Sequence, residues 1–269
     1  MEYLSSEDLL LKLVDKTLWM TLNRASASNA FSESMIAELV SNLYKADQDN
    51  KVRSIVITGA GKHFCAGGDL KDMKNKTGIF KGESNELRER YKFGIQQIPK
   101  CLNSLSTPVI AMVNGAAIGA GLDLACMCDM RIASEHAKFG ETFSKLALVP
   151  GDGGSYFLQR IIGFAKAMEL SLTAEVINAE TAKDIGLVNY VVGAEALKEK
   201  TSQIINKINS NAPIALSLTK RAIIHAYEND LSSNLEMLSA FQGISQRTSD
   251  HFLALESVEN KSQADFNHS

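Results

Sequence analysis

Two glycine-rich turns, each placed directly after a β-strand pattern, constrain the fold of this chain more than any other sequence feature. The first, at 63–70, reads HFCAGGDL and follows the apolar stretch 55–58; the second, at 114–121, reads NGAAIGAG and follows 109–113. Continuously apolar strands are typical of a sheet that is covered on both faces. The sequence therefore predicts an α/β fold with tight turns after buried strands.

The two turns are also able to bind an oxygen atom. Glycine has no Cβ to block a ligand, and a turn leaves backbone N–H groups unpaired by the sheet. Two such loops that converge would form a preorganised oxyanion hole, which enzymes use to stabilise an enolate. The alternative is that both turns simply reverse the chain, as most glycine turns do.

The remaining pattern alternates strands and helices and then becomes helical. Residues 10–14 and 18–22 predict a hairpin, 34–47 a helix and 52–58 a strand, and the strand-turn-helix-strand rhythm returns over 108–133. The charged segment 71–85 predicts a mobile loop or lid, and 86–104 a helix. From residue 165 onward the pattern is helical, and 188–192 is the single strand expected there.

Composition favours an enzyme without nucleic-acid or membrane partners. The chain has 269 residues and a net charge of −3, so no basic field would attract nucleic acid or anionic lipid. The apolar stretch 108–127 is interrupted by Asn114, Asp123 and three glycines, which argues against a membrane span. Four cysteines without disulfide or zinc spacing indicate free thiols in a reducing compartment, and we expect a cytoplasmic protein without a secretory signal.

A family resemblance rests on these turns and their spacing. Phe-x-Ala-Gly-x-Asp-Leu at 64–70 is followed about fifty residues later by Asn-Gly-x-x-x-Gly-x-Gly-x-Asp at 114–123. Matching pieces continue to Val149-Pro150-Gly151-Asp152-Gly153-Gly154 and beyond, in order and over most of the chain. The chain resembles the crotonase superfamily, whose best-known member is enoyl-CoA hydratase.

The resemblance implies a fold, an assembly and a substrate class. It implies a crotonase-like ββα superhelix over 1–195 that carries the acyl-CoA site, and a C-terminal helical region over 196–269 that forms homotrimers or homohexamers. An acyl-CoA thioester is the implied substrate. No separate cofactor is expected, because coenzyme A enters as part of the substrate, and no metal is expected, because the histidines lack carboxylates at metal-ligand spacing.

The resemblance also assigns the chemistry to named residues, with one departure. It places the oxyanion donors on the N–H groups of Gly68 and Ala120 and a catalytic carboxylate on Asp123, whose other interpretation is a first-turn aspartate that stabilises a helix dipole. The second glutamate of the hydratases falls at Phe143. Glu141 or Asp152 would have to replace it; taken singly, Glu141 is also typical of a solvated surface acid and Asp152 of a helix N-cap.

Binding of the CoA moiety is implied for a further set of residues. Arg24 would lie near the phosphates, and Ala66, Asp69 and Leu70 near adenine and pantetheine. Lys261 is a candidate phosphate partner from the same or a neighbouring subunit.

Three functions remain open on this evidence. The first is a hydratase that adds water to a trans-2-enoyl-CoA. The second is a double-bond isomerase that uses a single aspartate base, as in members of the superfamily with an apolar residue at the glutamate position and an aspartate in the Pro-Asp-x-Gly-Gly turn; here the aspartate is displaced by one residue. The third is a non-catalytic member that binds acyl-CoA or RNA, against which the intact turns and the near-neutral charge argue.

Overall fold

A computed structural model describes residues 1–267, which fold into ten strands and twelve α-helices. The strands are β1 (Leu9–Val14), β2 (Thr17–Leu22), β3 (Ser54–Gly59), β4 (His63–Cys65), β5 (Val109–Val113), β6 (Ala116–Ile118), β7 (Met130–Ser134), β8 (Lys138–Gly140), β9 (Val176–Asn178) and β10 (Tyr190–Val192). The helices are α1 (Glu33–Asp47), α2 (Leu70–Asn75), α3 (Ser84–Phe93), α4 (Gln97–Ser104), α5 (Ala120–Met127), α6 (Gly154–Ile162), α7 (Phe164–Thr173), α8 (Ala179–Asp184), α9 (Leu197–Asn209), α10 (Pro213–Glu228), α11 (Leu231–Ser245) and α12 (Ser249–Asn260).

A six-stranded sheet forms the centre of the molecule, in the order β1-β2-β3-β5-β7-β10. The predicted hairpin is confirmed, because β1 and β2 pair antiparallel from Leu9 opposite Leu22 to Val14 opposite Thr17. The strands from β2 to β10 are parallel to their neighbours. The side chains of the central strands β3, β5 and β7 are buried on both faces, against α1, α4 and α5 on one side and α9 on the other. The α/β fold class is therefore confirmed.

A second, four-stranded sheet places the two glycine turns side by side. Its order is β4-β6-β8-β9, and β4 and β6 are parallel, with His63 opposite Ala116 and Cys65 opposite Ala117. The first turn leaves the end of β4 and the second leaves the end of β6. Because parallel neighbours end at the same edge of a sheet, the turns meet there.

Two expectations about local structure are wrong. Segment 71–85 is not a loop: Asp69 caps α2 by accepting from the N–H groups of Lys71 and Asp72, and Glu83 and Glu86 form a capping box on α3. Strand β9 was not expected, since three residues are too few to show an alternating pattern. The predicted helix over 86–104 is divided into α3 and α4 near Gly94.

Helix α10 is attached to this body by polar contacts. Lys220 in α10 donates to the Thr107 carbonyl (2.9 Å) and to Asp129 (2.7 Å). Most of the side chains on α10, α11 and α12 are not buried. Residues 268 and 269, which belong to the predicted region 196–269, lie outside the described residues. Within 1–267, no helix is both long and apolar enough to cross a membrane.

Candidate active site

The two glycine turns approach each other closely enough to share a ligand. Gly67 has φ +80°, and a Cβ built on it would lie 2.8 Å from the Ile118 carbonyl oxygen and 2.9 Å from the Ala120 nitrogen. Only glycine combines that φ with that spacing. The neighbouring Gly68 is thereby held beside the beginning of α5, as the predicted pairing of Gly68 with Ala120 requires.

Ala120 is the first residue of α5, so its N–H has no partner within the helix. The turn before it is fixed by Gly119, whose N–H donates to the Gly140 carbonyl in β8 (2.8 Å). The N-terminus of α5 also carries the positive end of the helix dipole, which favours an anion. The predicted helix start at this turn is confirmed.

Both turns line one cavity of about 530 Å³. Ala66, Gly68, Asp69, Leu70 and Ala120, all predicted as site residues, are on its wall. Lys71, Lys145 and Phe143 are among the lining residues that were not predicted as ligand contacts. The two lysines add positive charge to the cavity. The sequence motifs identify the turns that line it but not these lysines.

Apolar side chains cover the first turn. A Cβ built on Gly68 would lie 2.9 Å from Phe80 Cζ and would overlap Met73 Cε. Met73 belongs to α2, and Phe80 ends a short 3-10 turn between α2 and α3. The segment predicted as a lid therefore lies over Gly68 in helical form.

Three acidic side chains are buried together, and none of them is among the residues that line the cavity. Asp123 is one turn into α5, Glu141 directly follows β8, and Asp152 precedes the glycine pair that begins α6; their exposed fractions are 0%, 1% and 3%. Gly154 brings them into contact. A Cβ on it would overlap Asp123 Oδ1 and lie 2.5 Å from Glu141 Oε1, so a glycine is needed where α6 meets the two carboxyl groups.

Burial raises the pKa of all three acids, and repulsion from neighbouring carboxylates adds to the effect at Asp123 and Glu141. Burial and the charges of Asp152 and Glu141 raise the pKa of Asp123 well above its usual range. Burial raises the pKa of Glu141 to about 7, with a smaller opposing effect of a hydrogen bond from Asp123, and burial also raises that of Asp152. Each acid of the cluster therefore holds its proton more tightly than the same side chain does in water.

The hydrogen-bonding of the cluster leads to the same conclusion. Both oxygens of Asp123, both of Glu141 and Oδ1 of Asp152 are buried without a hydrogen-bond donor. Ionised carboxylates only accept hydrogen bonds, so three of them cannot bond to one another. A proton on one member turns it into a donor to the next, so that one of these buried oxygens gains a hydrogen-bond partner for each proton that the cluster holds.

The structure excludes two alternative interpretations, that Glu141 is a surface acid and that Asp152 is a helix N-cap. Glu141 is buried, so it is not a solvated surface acid. Asp152 is not the N-cap of α6: that position is Gly153, with no side-chain cap. Position 143, where the hydratases have their second glutamate, begins a 3-10 turn, and the Phe143 ring faces Gly119.

The basic residues predicted to bind CoA occupy different positions. Arg24 lies close to two carboxylates, Asp8 (3.8 Å) and Asp69 (3.6 Å), and donates to the Ala30 carbonyl (2.7 Å). Since Asp69 and Ala30 line the cavity, Arg24 is at its rim. Lys261 is the C-cap of α12 and is not among the residues that line the cavity.

Two residues near Asp152 were not predicted from the sequence. Gln96 donates to the Gly151 carbonyl (2.7 Å), and a Cβ on Gly151 would lie 2.9 Å from Tyr91 Cε1. Burial and the Asp152 charge raise the pKa of Tyr91. Both residues belong to the α3–α4 region, where the sequence shows helical spacing and no sign of this contact.

An α/β fold with paired glycine turns and a cluster of buried acids is typical of an enzyme. The model of the enoyl-CoA hydratase/isomerase family matches residues 15–268, and the chain belongs to this family. The predicted resemblance to the crotonase superfamily is thus confirmed, as is the prediction of an enzyme of this type.

Proteins named as hydratases and as isomerases are both similar to this chain. The short-chain enoyl-CoA hydratase of Clostridium acetobutylicum is 38% identical over 231 residues, which are 85% of each chain. The 1,2-epoxyphenylacetyl-CoA isomerase of Escherichia coli is 35% identical over 246 residues, 91% of this chain and 92% of its own. The crystal structure of an enoyl-CoA hydratase from Bacillus anthracis covers 97% of this chain and 100% of its own, with a TM-score of 0.92 and 34% identity.

Proposed function

We propose that the protein adds water to trans-2-enoyl-CoA thioesters. The observation that carries the proposal is the burial of Asp123, one helical turn beyond Ala120, in one cluster with Glu141 and Asp152. In this proposal the thioester oxygen lies between the N–H groups of Gly68 and Ala120, which stabilise the enolate as it forms. The α- and β-carbons then face the acids.

The reaction needs one acid and one base. Hydroxide from water bonds to Cβ, a carboxylate accepts the proton that water loses, and a carboxylic acid donates a proton to Cα. Asp123 and Asp152 supply this pair when they share one proton, because like-charged neighbours in a buried site do not both ionise. Asp152 thereby replaces the acid missing at Phe143. The mechanism uses no separate cofactor.

Binding of the CoA part follows from the cavity wall. Ala66 and Leu70 offer contacts for adenine and pantetheine, while Arg24, at the rim, and Lys71 and Lys145, on the wall, offer charge for phosphate oxygens. Asp69 caps α2 and is close to the Arg24 guanidinium, so it orients this basic rim. Lys261 would contribute from a neighbouring subunit.

A double-bond isomerase is the second candidate. The Phe143 ring, which faces Gly119 in place of a carboxylate, favours it, because a 1,3-proton shift needs one base and an apolar wall rather than a bound water. Asp152 would be that base. In an isomerase, Asp152→Asn is the more damaging change of the two aspartates.

A panel of acyl-CoA thioesters tests the proposal. Trans-2-enoyl-CoA and 3-enoyl-CoA substrates of short and medium chain length are incubated with the enzyme, and products are separated by mass. A gain of one water from the 2-enoyl substrates is expected. Conversion of 3-enoyl to 2-enoyl thioesters at unchanged mass, without hydration, would select the isomerase instead.

We also propose a homotrimer or homohexamer formed through the C-terminal helices. Large apolar side chains on α10, α11 and α12 are exposed in the single chain, which is unusual for helices of this length. They are Ile223, Tyr227, Leu231, Leu235, Ile244, Phe252, Leu255 and Val258.

Leu235→Glu is expected to shift the protein towards monomers, because a buried unpaired charge at an interface costs several kcal/mol. Light scattering after size-exclusion chromatography measures the mass. Ser233→Glu is the control: it adds the same charge to α11 at the third helical position, where glutamate is favourable, two residues from Leu235 and thus on another face. Equal masses for both variants and the unmodified protein would contradict an interface at Leu235.

A further inference from the structure

We propose that Glu141 is a positioning residue that keeps a shared proton on the Asp123–Asp152 pair. The inference rests on the proposed acid–base role of that pair. The two acids of a family hydratase activate water and protonate Cα. The task assigned here to Glu141, the third buried acid, is neither of these.

The contact geometry makes Glu141 a direct neighbour of Asp123. Glu141 Oε1 and Asp123 Oδ1 both lie within 2.5 Å of one point, the Cβ position that Gly154 leaves empty. Both side chains are almost fully buried, and both oxygens of each are without a donor. Asp123 is therefore flanked by two acids, Asp152 and Glu141, and a protonated Asp123 donates its single O–H to one of them at a time.

The surroundings of the cluster do not neutralise it. Asp123 and Cys126 of α5 face Glu141, and Asp152 faces it from the loop before α6. Tyr91 and Cys65 face Asp152 and are uncharged at neutral pH. Beyond Cys126 lies Arg131, whose guanidinium donates to the carbonyls of Leu187, Ala125 and Cys128.

The charge of Glu141 then controls when the pair loses its proton. Above neutral pH, an ionised Glu141 beside Asp123 repels a second negative charge, so the pair keeps its proton to higher pH. An amide at position 141 has the same shape but no charge. Without that charge the pair gives up its proton at lower pH, and the acid needed for protonation of Cα is lost earlier.

The test is the pH dependence of kcat/KM in Glu141→Gln. We expect its alkaline limb to move to lower pH by about one unit, with little change on the plateau. Glu175→Gln, which removes an exposed charge beside β9, is the matched control and should leave the limb in place. Glu141→Leu removes the charge and the hydrogen-bonding group, and should move the limb in the same direction. An unchanged limb in Glu141→Gln would overturn the inference.

A second measurement is independent of turnover. Infrared difference spectra of the substrate-free protein report the C=O stretch of protonated carboxylic acids as pH is raised. We expect a protonated-acid band that persists above neutral pH, weakens at lower pH in Glu141→Gln and is lost in Asp123→Asn. If this band behaves as expected but no water is added to any thioester, the proposed function fails and the inference stands; if hydration occurs without the band, the inference fails alone.

Discussion

Asp123→Asn is expected to lower kcat for water addition by about 10³-fold, with little change in KM. The amide preserves the shape of the side chain but cannot exchange a proton at neutral pH, and Asp123 is the acid that both other carboxyl groups contact. Kinetics with a short trans-2-enoyl-CoA measure the loss. Asp184→Asn, an exposed aspartate at the end of α8, is the control and should be fully active.

Thermal unfolding separates this loss from a folding defect. Because burial raises the pKa of Asp123, the folded protein binds protons more tightly there than the unfolded chain, and its stability falls as pH rises above the unfolded value. Replacing the group by a neutral amide removes that cost. The variant should therefore be at least as stable as the parent at neutral pH. Full activity in both Asp123→Asn and Asp152→Asn would reject the pair as the acid–base groups.

Ala120→Pro is expected to lower kcat by about 10²- to 10³-fold, because it deletes one of the two proposed oxyanion donors. Position 120 suits this test better than position 68. Ala120 is the first residue of α5, where proline is well tolerated and the N–H has no helical partner. At Gly68 any side chain would collide with Met73 and Phe80, so a loss of rate there would have two causes.

The control for this change keeps the donor and alters the side chain. Ala120→Gly retains the N–H and should stay within about tenfold of the parent, since it removes one methyl group and adds backbone freedom. Circular dichroism and thermal unfolding establish that both variants are folded. If Ala120→Pro is folded and as active as Ala120→Gly, the thioester oxygen does not bind at this amide.

Local sequence signals predicted the parts of the site that depend on backbone conformation. A side chain in place of a glycine in the turns at 67–68 and 119–121 would prevent the backbone conformation or the close contacts of these turns. Glycine is therefore needed at these positions, and it is recognisable in the sequence itself. The start of α5 follows from the same glycines, and it places Asp123 one turn beyond Ala120. These features are set within a few residues and need no knowledge of the tertiary structure.

The burial of Glu141 depends on contacts that no local pattern contains. A lone glutamate after a short strand is typical of a surface acid, and only the meeting of β8 with the beginning of α6 encloses it. The signal that could have identified it is Gly154, since paired glycines at a helix start often permit a close approach. Likewise, Tyr91 and Gln96 reach the Asp152 loop from α3 and its exit, more than fifty residues earlier in the chain.

The strand order also has a consequence for synthesis on the ribosome. Strand β10 completes the large sheet at its edge by pairing with β7, about sixty residues earlier, and both turns and all three acids precede it in the chain. Once residue 192 has emerged, every one of these groups is available to the folding chain, whereas the apolar surfaces of α10 to α12 are still to be made. A nascent chain thus holds all the residues of the candidate site before it exposes the apolar side chains of these three helices, which are the ones most prone to aggregation.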